Sequence, residues 1–108
     1  MKLVRAIVRE DKVKEVVTAL DLAGAPGMTV TDVKGRGATP RTGMWRGQPY
    51  AVFLPMCAIE VFVADEAAVD IARVIVESAH TGHKGDGHVF IMTLDDSYAV
   101  RTRWRHVA

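Results

Sequence analysis

The chain has 108 residues, 49% of them hydrophobic and 25% charged, with a net charge of +1. That length suits one domain with a real core, and the near-neutral balance gives no general electrostatic pull toward nucleic acid or anionic membrane. No apolar run approaches the roughly 20 residues of a spanning helix, early charges at Lys2 and Arg5 do not read as a signal peptide, and the single cysteine, Cys57, excludes an internal disulfide. A soluble cytoplasmic protein with a buried thiol is the expectation.

The opening MKLVRAIV is β-branched and apolar, short enough for a strand buried on both faces. Asp11 is expected to cap a helix over DKVKEVVTALDLAG, with Val13, Val16, Val17 and Leu20 at helical spacing and Gly24 as its stop. MTVTDVKG alternates as a half-buried strand, with Met28, Val30 and Asp32 on one side and Thr29, Thr31 and Val33 on the other. Residues 35 to 49, GRGATPRTGMWRGQP, show no period and are expected to form a loop. Strand character returns in YAVFLPMCAIEVFV. A second helix follows, capped by Asp65, carrying Val69, Ala72, Ile75, Val76 and Ala79 and stopping at Gly82. HVFIMTL closes the order as a strand, and an extended tail runs through VRTRWR.

The order β-α-β-β-α-β predicts an α+β sandwich of the ferredoxin-like kind, a four-stranded antiparallel sheet with two helices on one face. The strands are apolar on both faces, as Leu3 beside Val4 and Phe62 between Val61 and Val63 show. An apolar face with no helix over it needs a partner, so an obligate homo-oligomer is expected.

Between the second helix and the last strand lies TGHKGDGHVF, residues 81 to 90. Gly82, Gly85 and Gly87 can take positive φ and turn successive N–H groups toward one point, an anion nest. A helix C-cap followed by an Asp-Gly turn accounts for the same residues, and the stretch alone does not separate the two.

The βαββαβ order occurs together with GMTVTDVKGRG (27–37), WRGQPYAVFLP (45–55), T-x-x-x-G-D-G-x-V-F-I (81–91) and the start MKLVRAIVRxxKVxEVVxAL. In this combination the chain resembles the PII signal-transduction family along nearly its whole length. The resemblance implies a single domain, a homotrimer and an adenine-nucleotide site in each cleft between neighbouring subunits. A long loop, here residues 36 to 53, would contact partners, with Arg41, Trp45, Arg46 and Tyr50 its candidate contacts. Residues 81 to 88, with Gly85, Asp86, Gly87 and His88, would hold the phosphates of ATP or ADP. Ile7, Thr29 and the Phe62 region match the adenine side, Glu60 the ribose, and Gly35, Gly37 and Arg101 further phosphate-side positions. Gly87 is expected against the ligand and at positive φ, where neither the ligand nor the backbone leaves room for a side chain, so that valine there lowers affinity while the trimer survives.

Several positions depart from the family pattern. The long loop is about two residues shorter than the family's. Ala38 and Thr39 replace an Arg-Gln pair, and Met56 replaces a lysine that pairs with 2-oxoglutarate. Losing that cation and amide leaves a dicarboxylate poorly compensated, which puts magnesium and 2-oxoglutarate in doubt. Ala99 stands where an arginine reaches the terminal phosphates, and His88 where a Lys or Arg is usual. ADP or AMP in preference to ATP, or binding that varies with pH through His88, are the consequences to expect.

The tail, residues 99 to 108, ends in RTRWRHVA (101–108), where the family continues Arg-Thr-Gly-Glu. If extended, it projects Arg101, Arg103 and Arg105 to one side, a rake suited to phosphate; a frayed terminus is the alternative. Residues 38 to 50 are expected to be mobile, cut first near Arg41 or Arg46, with Trp45 an apolar anchor for a partner. Tyr50 stands where many family members carry a modifiable tyrosine, but Pro49 before it and a missing residue after it leave modification unassigned. His80 and His83 lack a further ligand at fixed spacing, so no metal is assigned. Adjacent Asp95 and Asp96 point apart in a strand and read as a turn. No nucleophile stands near a base, and no enzyme is expected. The reading is a trimeric adenine-nucleotide sensor regulating a transporter or metabolic enzyme, with no nucleic acid and no membrane insertion. Its alternative is a trimer of the same fold binding a small anion or metal without nucleotide.

Overall fold

A computed structural model of the chain describes residues 1–38 and 42–106. In chain order it has β1 Lys2–Arg9, α1 Val13–Leu22, β2 Met28–Gly35, β3 Thr42–Trp45, β4 Gln48–Ala51, β5 Leu54–Val63, α2 Ala68–Ala79 and β6 Gly87–Thr93. One four-stranded antiparallel sheet has the order β2-β5-β1-β6, and β3 pairs only with β4. This is the expected ferredoxin-like arrangement with a hairpin inserted between its second and third sheet strands.

Register decides which residues meet the helices. Val4, Ala6 and Val8 of β1 oppose Val61, Ile59 and Cys57 of β5, and all six are buried. Val16 and Leu20 of α1 and Ala68, Ile71, Ile75 and Ala79 of α2 complete this core. Each large aliphatic side chain so buried contributes roughly 1.5–3 kcal/mol. The buried stripe of α2 runs 68-71-75-79, and Val69 and Val76, expected inside, lie about half exposed. Ile75 and Ala79 are buried as expected, while Ala68 and Ile71 take the inward positions of the first turns in place of Val69 and Ala72.

Helix entry differs from expectation. Asp11 and Asp65 sit inside 3-10 turns, Glu10–Lys12 and Asp65–Ala67, and neither helix has a side-chain cap bond. A residue already in the turn cannot adopt the extended backbone that a capping side chain needs. Asp65 instead accepts a bond from the N-terminal amine of Met1 at 2.6 Å, which holds its carboxyl below the usual range. Gly24 does stop α1: with φ +74° it supports Ala25 N–H to Leu20 O (3.0 Å) and Gly24 N–H to Asp21 O (3.1 Å), a Schellman closure.

Two segments, the expected loop and the expected extended tail, fold differently from expectation. β3 and β4 form a hairpin whose two-residue turn places Arg46 and Gly47 at φ 49° and 77°, the left-handed pair of a type I′ turn. The Tyr50 side chain covers Gly43 on the opposite strand, where a Cβ would come within 2.8 Å of two ring carbons and the phenolic oxygen. The hairpin makes the molecule long, 56 × 29 × 20 Å with a radius of gyration of 16.5 Å, against about 13 Å for a compact chain of this size. The tail is not an extended rake. Tyr98 bridges Arg105, Arg103 N–H bonds Ala99 O, and Arg103 turns left-handed at φ 63°. Folding back pairs backbone groups that an extended tail would leave to water. Arg105 is spent on Asp96 at 2.5 Å. Among the described residues no helix is long and apolar enough to cross a membrane.

Candidate functional site

The sheet face away from the helices carries Leu3, Arg5, Ile7 and Arg9 from β1 and Met56, Ala58, Glu60 and Phe62 from β5. Thr29, Thr31, Val33 and Gly35 extend it on β2, and His88, Phe90 and Met92 on β6. Among the described residues, neither helix packs over it. Phe62, Phe90 and Met92 are 48%, 48% and 40% exposed, an apolar patch of the kind that marks an association surface.

At one end of this face lies a cleft of about 410 Å³. Ile7, Met56 and Phe90 supply an apolar floor, and Gly35 through Gly37 at the end of β2 form one wall. The opposite wall is the glycine-rich loop, contributing His83, Gly85, Asp86, Gly87 and His88. A second cleft of about 370 Å³ adjoins it at the base of the hairpin, lined by Arg36, Ala38, Lys84 and Gly85 among others. His88 stacks on Phe90 at 5.9 Å between ring centres.

The loop is rigidly built. Gly82, Gly85 and Gly87 have φ of 85°, 94° and 102°. Helix α2 ends at Ala79 and His80 is extended, so Gly82 is not the helix cap that local sequence also allowed. Asp86 organises the turn: one carboxylate oxygen accepts Thr81 N–H (2.8 Å) and Gly82 N–H (2.9 Å), and the other accepts the Thr81 hydroxyl and Arg9 Nε (2.9 Å). Arg9 Nη2 also donates to Lys84 O at 2.6 Å. The Thr81 hydroxyl, then the Thr81 amide, then Arg9 hold the Asp86 carboxyl well below the usual carboxylate range. Asp86 therefore works inward on its own loop, and its charge is matched by Arg9.

Gly87 has the positive φ expected of it, but its backbone constraint reaches into the sheet. A Cβ there would lie 1.7 Å from Ile7 O and 2.8 Å from Ile7 C. Glycine is required by the backbone of β1, before any ligand is considered, so valine at this position attacks the sheet itself.

Of the residues picked from sequence, the cleft gathers Ile7, Gly35, Gly37, Gly85, Asp86, Gly87 and His88. Thr29, Glu60 and Phe62 share the open face farther along the strands, with Thr29 opposite Glu60. Arg101 and Arg103 lie beyond the far end of β6, where Thr93 pairs with Lys2, and do not reach this cleft within one chain. On the hairpin, Trp45 is 67% exposed with the Arg46 guanidinium 5.4 Å from its ring centre, and Tyr50 is half exposed. Thr39, Pro40 and Arg41 fall outside the described residues. Sequence reasoning missed Arg9, Arg36, Leu54 and Phe90. Arg9 had a usable signal, since period two places it on the face of Ile7; its bond to Asp86, 77 positions away, had none.

A family model described as "Nitrogen regulatory protein P-II" matches residues 1–104. The chain is 48% identical over 104 residues to "Nitrogen regulatory protein GlnK2" of Haloferax mediterranei, covering 94% of this chain and 85% of that one. It is 44% identical over 104 residues to "Nitrogen regulatory protein P-II 2" of Methanothermobacter thermautotrophicus, covering 94% and 90%. Against "Nitrogen regulatory protein P-II" of Rhizobium etli it is 43% identical over 104 residues, covering 94% and 93%.

Proposed function

Since this chain belongs to the nitrogen regulatory protein P-II family, we propose that it is a homotrimeric cytoplasmic signalling protein that binds an adenine nucleotide between subunits and regulates a partner through its hairpin. The family is one of regulatory proteins, and the relatives above are named as such. The observation that carries the reading is the glycine-rich loop, locked by Asp86, Thr81 and Arg9, standing at the mouth of a cleft on the uncovered face.

The residues present suit a nucleotide. Ile7 and Phe90 offer an apolar surface to a flat base, and the N–H groups of the loop with Arg36, Lys84 and His88 offer donors and charge to phosphates. Met56 on the cleft floor and Ala38 in the adjoining cleft argue against 2-oxoglutarate by the family's usual route, since neither can meet a carboxylate. Arg101 and Arg103, distant within one chain, would enter the site from a neighbouring copy. Covering the face of Phe62, Phe90 and Met92 would bring that copy in. The exposed Trp45 and Tyr50 make the hairpin the surface for a transporter or metabolic enzyme.

Light scattering should report about three chains of 11.8 kDa, and a monomer at micromolar concentration defeats the intersubunit site. Calorimetry with ADP, ATP, AMP and 2-oxoglutarate should show nucleotide binding, tighter for ADP or AMP than for ATP, and none of 2-oxoglutarate. Heat from phosphate or a metal salt, with no nucleotide binding, would instead favour a same-fold anion or metal scaffold.

A further inference from the structure

The net charge of +1 hides an uneven distribution. Between Asp32 and Glu60 the chain has no acidic residue, while Lys34, Arg36, Arg41 and Arg46 are cationic. The rest of the chain holds ten cations against thirteen acids. The hairpin lies in the middle of this basic stretch, and its register gives it two apolar faces. Trp45 and Tyr50 share one face with Gly43 and Gln48, and Met44 and Pro49 lie on the other. Met44, Trp45, Tyr50 and the following Phe53 are exposed, and no residue of β4 is buried. The tip is Arg46-Gly47, with the Arg46 guanidinium 5.4 Å from the Trp45 ring centre. Trp45, Arg46, Gln48, Pro49 and Tyr50 line an open hollow of about 500 Å³ there.

We propose that the hairpin tip docks on an anionic phospholipid surface, entering the headgroup layer without crossing the bilayer. The proposal rests on the trimer and contact-hairpin readings above, and it names a lipid surface as what the tip meets. A groove on a partner protein takes one apolar face of its ligand and leaves the other to water. This hairpin is apolar on both faces, which suits a medium that surrounds it. Trp and Tyr beside an arginine are the side chains that settle at a membrane interface, where the rings are partly buried and the guanidinium meets phosphate. β3 and β4 pair only with each other, so their outer edges are open. Those edges need the water and headgroups of the interface and keep the hairpin out of the hydrocarbon. A threefold axis points all three tips to the same side, so each Arg46 acts on one common surface. Each cation near an anionic leaflet tightens association by roughly fivefold, and three together supply about 100-fold.

The test is co-sedimentation of the assembled chain with vesicles of phosphatidylcholine alone and of equal parts phosphatidylcholine and phosphatidylglycerol. Binding should be at least about tenfold tighter to the anionic vesicles and should weaken by at least about tenfold from low to high salt. Trp104→Phe leaves Trp45 as the one tryptophan, so a blue shift of its emission on binding reports entry of the tip. Arg46→Asn removes the charge but keeps the left-handed turn, since Asn-Gly is favoured there. It should weaken anionic binding by about 100-fold. Trp45→Thr keeps strand propensity and should cost at least about tenfold. Equal binding to both vesicle types, or wild-type binding by both hairpin variants, overturns the proposal. So does absence of binding to either, which leaves the hairpin to a protein partner with an acidic surface. Light scattering before vesicles are added separates the possible failures. A trimer that ignores anionic vesicles overturns this inference alone, whereas a monomer defeats the assembly reading and with it the three-point docking that depends on it.

Discussion

Replacing Gly87 with alanine tests the claim that this glycine answers first to the sheet. The added carbon would sit 1.7 Å from the Ile7 carbonyl oxygen and 3.2 Å from Val8 Cα, at φ +102°. Neither neighbour is a flexible side chain, so β1 and β6 must separate at this end. Non-glycine backbone strain in such a region costs about 1–3 kcal/mol. Losing a ladder bond adds about 1 kcal/mol, for a total of roughly 2–4 kcal/mol. For a domain near this size that lowers Tm by roughly 10–20 °C. Thermal unfolding should be read at one fixed protein concentration, because assembly makes Tm concentration-dependent. Gly37→Ala is the control, since nothing lies within 4 Å of its added carbon and its φ is ordinary; it should move stability by under about 0.5 kcal/mol. A Gly87→Ala protein that melts within about 3 °C of wild type would refute the reasoning.

Asp86 carries a pH signature: its carboxyl is lowered in the fold, so its stabilisation is complete above the ordinary value of about 3.9 and is lost as pH falls below it. Melting wild type and Asp86→Asn from pH 6 to pH 2 should show a stability gap that narrows only below about pH 4, and a constant gap would contradict this. Cys57 is buried, and that burial, then its hydrogen bond to Asp32 at 3.4 Å, pushes the thiol up; iodoacetamide should label it about 100-fold more slowly in the native than in the denatured protein. Gly47→Ala strains the left-handed turn at φ 77° by about 1 kcal/mol. As the hairpin is not paired with the main sheet, amide exchange across Thr42–Ala51 should accelerate while Tm stays fixed, and a lowered Tm would show that the hairpin supports the fold.

Alternation in Met28–Gly35, the apolar runs of the first strand and of Leu54–Val63, and the helical spacing of Val16 and Leu20 were enough to read the βαββαβ order, and apolar residues on both faces, Leu3 beside Val4 and Phe62 between Val61 and Val63, were enough to read the open face. Gly24 was legible as a stop because a Schellman closure is made entirely within six residues. The hairpin was missed because glycines and prolines mask strand character, although Arg-Gly between two four-residue segments was a fair turn signal. The helix-entry caps were misassigned because an aspartate one position into a 3-10 turn looks the same in sequence as one before it. Other properties belonged to the tertiary structure alone: Arg9 locking Asp86, Arg5 paired with Glu60, Gly87 pressed against Ile7, and Arg101 carried away from the cleft by a folded tail. The first three are meetings of distant residues set by strand register. Alternation determines that a strand has two faces, but a one-residue slip exchanges them, and only the packing of α1 and α2 over Val4, Ile59 and Val61 selects the register that brings these partners together.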